Sequence, residues 1–138
     1  MNPKRDDAVL LALSVDPPML DAPQLAWLYD LAAMAPDGDT VEVGVFRGSS
    51  LLCTALARRD AGKNGLCIGV DDYQIHGETM DTHPRNAEAV RAVFAGFDTP
   101  PKLIEEVSVQ AAKTIGKVAF CFLDGAHTSP GIDDDLLV

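Results

Sequence analysis

Two hydrophobic periods alternate along this chain, one of helices and one of strands. Asp21, Ala22, Pro23 and Gln24 have the form of a helix start, with an acceptor at the cap, proline in the first turn and glutamine three residues on. Leu25, Leu28, Ala32 and Ala35 follow at helical spacing, and the Pro-Asp-Gly-Asp run at 36–39 stops them. Residues 40–45, rich in β-branched side chains, predict a first strand. A glycine-containing turn at 46–48 leads into a helix that starts at Ser49, runs through Leu51, Leu52, Ala55 and Leu56, and ends near 62–65. Residues 66–70 predict a second strand, closed by Asp71 and Asp72, and 73–83 lack periodicity and read as a loop. Pro84 opens a third helix with Ala87, Val90, Val93, Phe94 and Phe97 on one face, ended by 96–101. A third strand is predicted over 102–107, a short helix over 109–115, and a fourth strand over 118–123. That last run is nearly all apolar, so it is expected to be central and buried on both faces. After Asp124 a loop leads to a last helix starting at Ser129 and Pro130, and residues 1–20 read as an amino-terminal extension of a single domain spanning 1–138.

Strands that alternate with helices imply right-handed crossovers and an α/β fold: a Rossmann-like, open, mainly parallel sheet with helices on both faces. Ligands of such sheets bind beyond the carboxyl ends of the strands. The informative residues are therefore 44–50, 71–73, 107–108 and 124–127.

Composition removes several classes of function. With 11 basic and 21 acidic side chains in 138 residues the net charge is −10, and no cluster of Lys and Arg suits a nucleic-acid backbone. A small cationic ligand remains compatible. No apolar run approaches the roughly 20 residues that span a bilayer, and the first seven residues are too polar for a signal-peptide core, so a cytoplasmic, non-membrane protein is expected. Cys53, Cys67 and Cys121 are far apart and lie in apolar runs, as buried free thiols do.

The chemistry concentrates after the strands. Glu42, Gly44, Gly48 and Ser49 place two glycines in the turn between the first strand and its helix, where backbone can approach a ligand closely. A turn needed for packing alone has the same look. The Gly-x-Gly-x-x-Gly dinucleotide fingerprint is missing, with Phe46 where a pyrophosphate needs no side chain, and there is no Gly-Lys-Ser/Thr phosphate loop. Asp71 follows the second strand, 27 residues beyond Gly44, where an acid can accept both hydroxyls of a ribose. Asp72 beside it leaves the choice of acid open, and a plain turn aspartate is the competing reading. Together the turn and the acid point to an adenosyl group without a pyrophosphate.

The segments Val41-Glu42-Val43-Gly44-Val45-Phe46-Arg47-Gly48-Ser49-Ser50, Gly69-Val70-Asp71-Asp72 and Phe122-Leu123-Asp124-Gly125-Ala126-His127 resemble the class I S-adenosylmethionine-dependent methyltransferases. The likeness is greatest to the small-molecule O-methyltransferase branch with Asp-Gly-x-His after the fourth strand, which includes cephalosporin hydroxylase-like proteins. The resemblance implies that Gly44, Gly48 and Ser49 line the methionine part of S-adenosylmethionine, with Glu42 beneath it. Asp71 or Asp72 would hold the ribose hydroxyls, and Val107 and Ser108 would flank the adenine. Asp124 stands where metal-dependent relatives supply a Mg²⁺ ligand, and His127 lies near enough to orient or deprotonate an acceptor hydroxyl. Both could instead bond backbone amides and cap the next helix. The acids at 133–135 suit the first turn of a helix, and His76 and His83 suit a solvated loop.

The family's sheet has seven strands, so this chain is expected to be an incomplete version truncated after the fourth strand, or one whose open edge a second copy covers. Methyl transfer to a hydroxyl of a small molecule, such as a sugar or a secondary metabolite, is the leading expectation. The alternative is a non-catalytic nucleotide-binding or interaction domain that keeps the fold and self-associates. An NAD-type oxidoreductase ranks last because of Phe46.

Overall fold

The structure is a computed structural model that describes residues 2–15, 18–73 and 87–124. Its elements in chain order are α1 (Pro3–Leu13), α2 (Ala22–Met34), β1 (Thr40–Val43), α3 (Ser49–Asp60), β2 (Cys67–Val70), α4 (Ala87–Val93), β3 (Lys102–Ile104), α5 (Ser108–Ala111) and β4 (Phe120–Leu123). The four strands are all parallel, in the order β3-β2-β1-β4. The sheet order reverses at β1, whose neighbours β2 and β4 lie 27 and 80 residues further along the chain in register with Thr40. That reversal opens the crevice in which ligands of open sheets bind.

Helices cover both faces. Leu25, Leu28, Tyr29, Leu51, Leu52, Leu56, Val90 and Phe94 form the larger core, between α1, α2, α3 and α4 and the sheet. On the other face Val41, Val43, Ile68 and Val70 pack against Ala111 of α5. Gly69 lets the first layer close: a Cβ there would stand 2.8 Å from Val45 Cγ2 and 2.9 Å from Leu51 Cδ2.

The capping box of α2 forms as predicted, Asp21 accepting from the Gln24 amide and Gln24 Oε1 accepting from the Asp21 amide. Within the amino-terminal extension, Pro3–Leu13 form helix α1. Asn2 caps α1, Pro3 starts it, and Ala8, Val9 and Ala12 bury against α2 and α3. Arg5 ties it to Asp30 of α2 at 2.8 Å. The outer face of α2 carries Trp27, Leu31 and Met34, with Trp27 70% and Met34 78% exposed.

Arg58, near the end of α3, turns inward and is only 5% exposed. Its guanidinium donates to the carbonyls of Ala32 (3.1 Å), Ala35 (2.8 Å), Pro36 (2.8 Å) and Gly38 (3.0 Å), and at 3.5 Å to Asn64. One side chain thus fastens the turns that feed β1 and β2.

Three expectations need correction. β1 and β3 stop at Val43 and Ile104, short of the predicted Val45 and Val107. β4 is not buried on both faces: Cys121 and Leu123 are exposed. The short helix begins at Ser108 and ends at Ala111. The predicted helix start at Pro84 and the last helix lie outside the described residues.

Candidate functional site

The carboxyl ends of β1, β2 and β4 bring Glu42, the glycine turn, Asp71 and Asp124 together. The sheet hydrogen bonds continue one residue past the strands, from the Gly44 amide to Val70 O and from the Asp124 amide to Val43 O, each 2.8 Å. Asp124 is thereby seated directly beside the end of β1.

Glu42 is 2% exposed, and among the described residues neither carboxylate oxygen has a hydrogen-bond partner. Ser50 of α3 lies beside it and favours its charged form, yet makes no bond of ordinary geometry. Burial pushes the acid from 4.5 up to about 8, and the nearby carboxylates of Asp124 and Asp71 push in the same direction. An acid this deep with two empty acceptors is costly unless something supplies positive charge or donors. Cys53, buried beside α2, is likewise pushed up to about 12, by burial first and by Glu42 next.

The turn after β1 makes a tight left-handed path. Gly44 (φ 88°) and Gly48 (φ 94°) are suited to it, but Phe46 adopts φ 53° as well. Gly48 caps α3, and a Cβ on it would meet Val90 Cγ1 at 3.2 Å. The amides of Val45 and Phe46 both donate to Asp71 Oδ2, at 2.9 and 2.8 Å. The protein's own carboxylate therefore occupies amides that a phosphate would otherwise use, which is a physical reason for the missing dinucleotide fingerprint. Asp71 Oδ1 accepts from the Tyr73 amide at 2.7 Å. Tyr73 too has a left-handed φ, 57°, and its hydroxyl is buried without a partner. Burial, with Asp71 next, holds that hydroxyl well above its ordinary pKa.

The remaining candidates divide. Asp72 follows Asp71, half-buried, at the same strand end. The Ser49 hydroxyl turns to Ala12 O of α1 at 2.7 Å and so fastens two helices. Val107 is exposed and caps α5, and Ser108 is buried as that helix's first residue, both following β3 at the outer side of the sheet. His127 lies outside the described residues, as do Gly125, His76, His83 and the acids at 133–135. Among the described residues no group of three His, Cys, Asp or Glu side chains could hold a metal ion, and no helix is long and apolar enough to cross a membrane.

The reading of residues missed the second contribution of Asp71, to the loop amides, and the left-handed Phe46 and Tyr73. No spacing rule carries the first signal, because the bonded partners lie 25 and 26 residues apart.

An open parallel sheet with a glycine turn and a buried acid at the point of order reversal defines a Rossmann-like domain. A family model described as a methyltransferase domain matches residues 41–138, well over half of the chain, and the chain belongs to that family. Its fold is the class I methyltransferase fold. It is similar to the SAH-bound methyltransferase PaMTH1 of Podospora anserina (TM-score 0.63, 18% identity), covering 99% of this chain and 56% of that one. Cofactor-bound Rv0187 from MTB is similar too (TM-score 0.62, 20% identity), with 99% and 61% covered. A third is the O-methyltransferase from Bacillus cereus in complex with SAH (TM-score 0.58, 15% identity), with 99% and 61% covered. The chain thus spans little more than half the length of these structures. Comparison with curated proteins gives no match.

Proposed function

We infer that this chain carries the cofactor site of an S-adenosylmethionine-dependent methyltransferase acting on a hydroxyl of a small molecule, such as a sugar or a secondary metabolite. The observation that carries the reading is Glu42, a carboxylate buried beside the glycine turn with both oxygens unpartnered. A cationic group fits that place, since it would return the favourable charge interaction that burial removes. S-adenosylmethionine, when bound, supplies a methyl group activated on a sulfonium.

The chain's own residues would do the rest. Glu42 balances positive charge from below, and Gly44 and Gly48 keep the turn clear of side chains. The acid pair Asp71 and Asp72 offers acceptors to ribose hydroxyls, and Val107 and Ser108 stand on the adenine side. Asp124 and His127 orient an acceptor hydroxyl and take its proton, so that the oxygen is nucleophilic when it is aligned. Asp124 is also the residue that Mg²⁺ would use. A single carboxylate does not satisfy a cation that takes about six oxygens, so no step here runs through the metal.

Exposure of Cys121 and Leu123 on β4 favours a second reading, a non-catalytic nucleotide-binding or interaction domain that keeps the fold and self-associates. Calorimetric titration of the chain with SAH and, in parallel, with NAD tests the first reading. Saturable binding of SAH but not NAD is the expected result, with the methylated sulfonium form, S-adenosylmethionine, weakened about tenfold or more in Glu42→Gln. A folded chain that binds neither ligand would sink it. SAH binding without methyl transfer, together with a dimer in solution, would move the second reading ahead.

A further inference from the structure

Two bulky residues at this site hold a backbone conformation that side chains rarely adopt, and one carboxylate is bonded to both. Phe46 (φ 53°) lies in the turn after β1, and Tyr73 (φ 57°) follows β2. The Phe46 amide, with that of Val45 before it, donates to Asp71 Oδ2, and the Tyr73 amide donates to Asp71 Oδ1. Left-handed aromatic residues persist only where the surroundings hold them there. Here the hold is visible: three amide bonds from two loops converge on one side chain, which takes up three of its roughly four acceptor positions. Asp71 is itself fixed through its amide to Ile104 O at 3.1 Å, so the clamp rests on the β2–β3 pair.

We propose that Asp71 is a positioning residue: it locks the turn after β1 in the shape that receives the cofactor, rather than acting chiefly as an acceptor for the ribose. This rests on the S-adenosylmethionine reading and changes the part played by one of its residues. The clamp also explains why an aromatic residue is tolerated between Gly44 and Gly48. Without the carboxylate, Phe46 would relax to negative φ and carry the turn with it.

The two roles separate in a double-mutant cycle, because glycine enters the left-handed region at no steric cost. SAH affinity is measured by calorimetry for the wild-type chain, Asp71→Ala, Phe46→Gly, and the two combined. If Asp71 positions the turn, its removal weakens SAH binding about tenfold or more when Phe46 is present. The receptive shape is then only fractionally populated. In the Phe46→Gly background, the same removal costs about threefold or less. An equal loss in both backgrounds would overturn the proposal and make Asp71 a direct ligand. Should Asp71→Ala fail to fold, Asp71→Asn, which keeps one acceptor oxygen, goes through the same cycle and is read the same way. Absence of SAH binding by the folded wild-type chain would instead overturn the cofactor reading, and this proposal with it. Loss of the effect of Asp71 alone leaves that reading standing.

Discussion

Among the described residues, each end of the parallel sheet buries one ionisable side chain, and the protein treats the two oppositely. At the amino end Arg58 is surrounded by main-chain carbonyls, four of them within 3.1 Å. Toward the carboxyl end Glu42 is just as deep, yet both of its oxygens lack a partner. A buried charge that the chain satisfies by itself belongs to the architecture. One that it leaves wanting marks where something else is meant to bind.

The sharpest way to break this contrast is at Arg58. Arg58→Met would leave carbonyls of α2 and of the turns before β1 and β2 without their donor, and we expect a loss of about 3 kcal/mol or more in urea unfolding. A loss below about 1 kcal/mol would mean that water replaces the guanidinium, and the amino end would then be no better closed than the carboxyl end.

Glu42 gives the next effect, read through pH. Its folded pKa lies above the unfolded value, about 8 against 4.5, because burial disfavours the charge. The stability tied to that difference is whole below about pH 4.5 and is lost as pH rises through about 8. Wild-type melting temperature should therefore fall relative to Glu42→Gln between those limits, while the two converge at the acid end. Parallel curves would show that Glu42 is already paired. Smallest is Ser49→Ala, which removes the hydroxyl bond to Ala12 O and should cost about 1 kcal/mol with little change in SAH affinity. The reverse result, weaker binding at unchanged stability, would move Ser49 from the architecture into the site.

Much of this arrangement is legible in the residues. The capping box at Asp21 and Gln24, the β-branched run at 40–43 and the strand-end acids all announce themselves through local rules. Helix α1 does not, because its pattern is inverted: small Ala8 and Ala12 face the core while Leu10, 67% exposed, and Leu11 face out. Arg58 looks like an ordinary basic residue in the last turn of a helix, and nothing local says that it points inward. Strand β4 is as apolar as a central strand should be, but apolarity does not say which neighbours cover it. For the site, Glu42, Asp71 and Asp124 stand out by position. What Asp71 bonds to does not, since two of its three amide partners come from the loop after another strand.

Trp27 has a practical consequence for those experiments. It is the single tryptophan of the chain, and it sits on the outer face of α2, on the opposite side of that helix from the core and already largely in water. Its emission will therefore change little when the chain unfolds or when a ligand enters beside the glycine turn. A blue shift would instead report that something has covered α2. The chain carries a built-in optical probe for association that is nearly blind to cofactor, so fluorescence and calorimetry on one sample separate the two events.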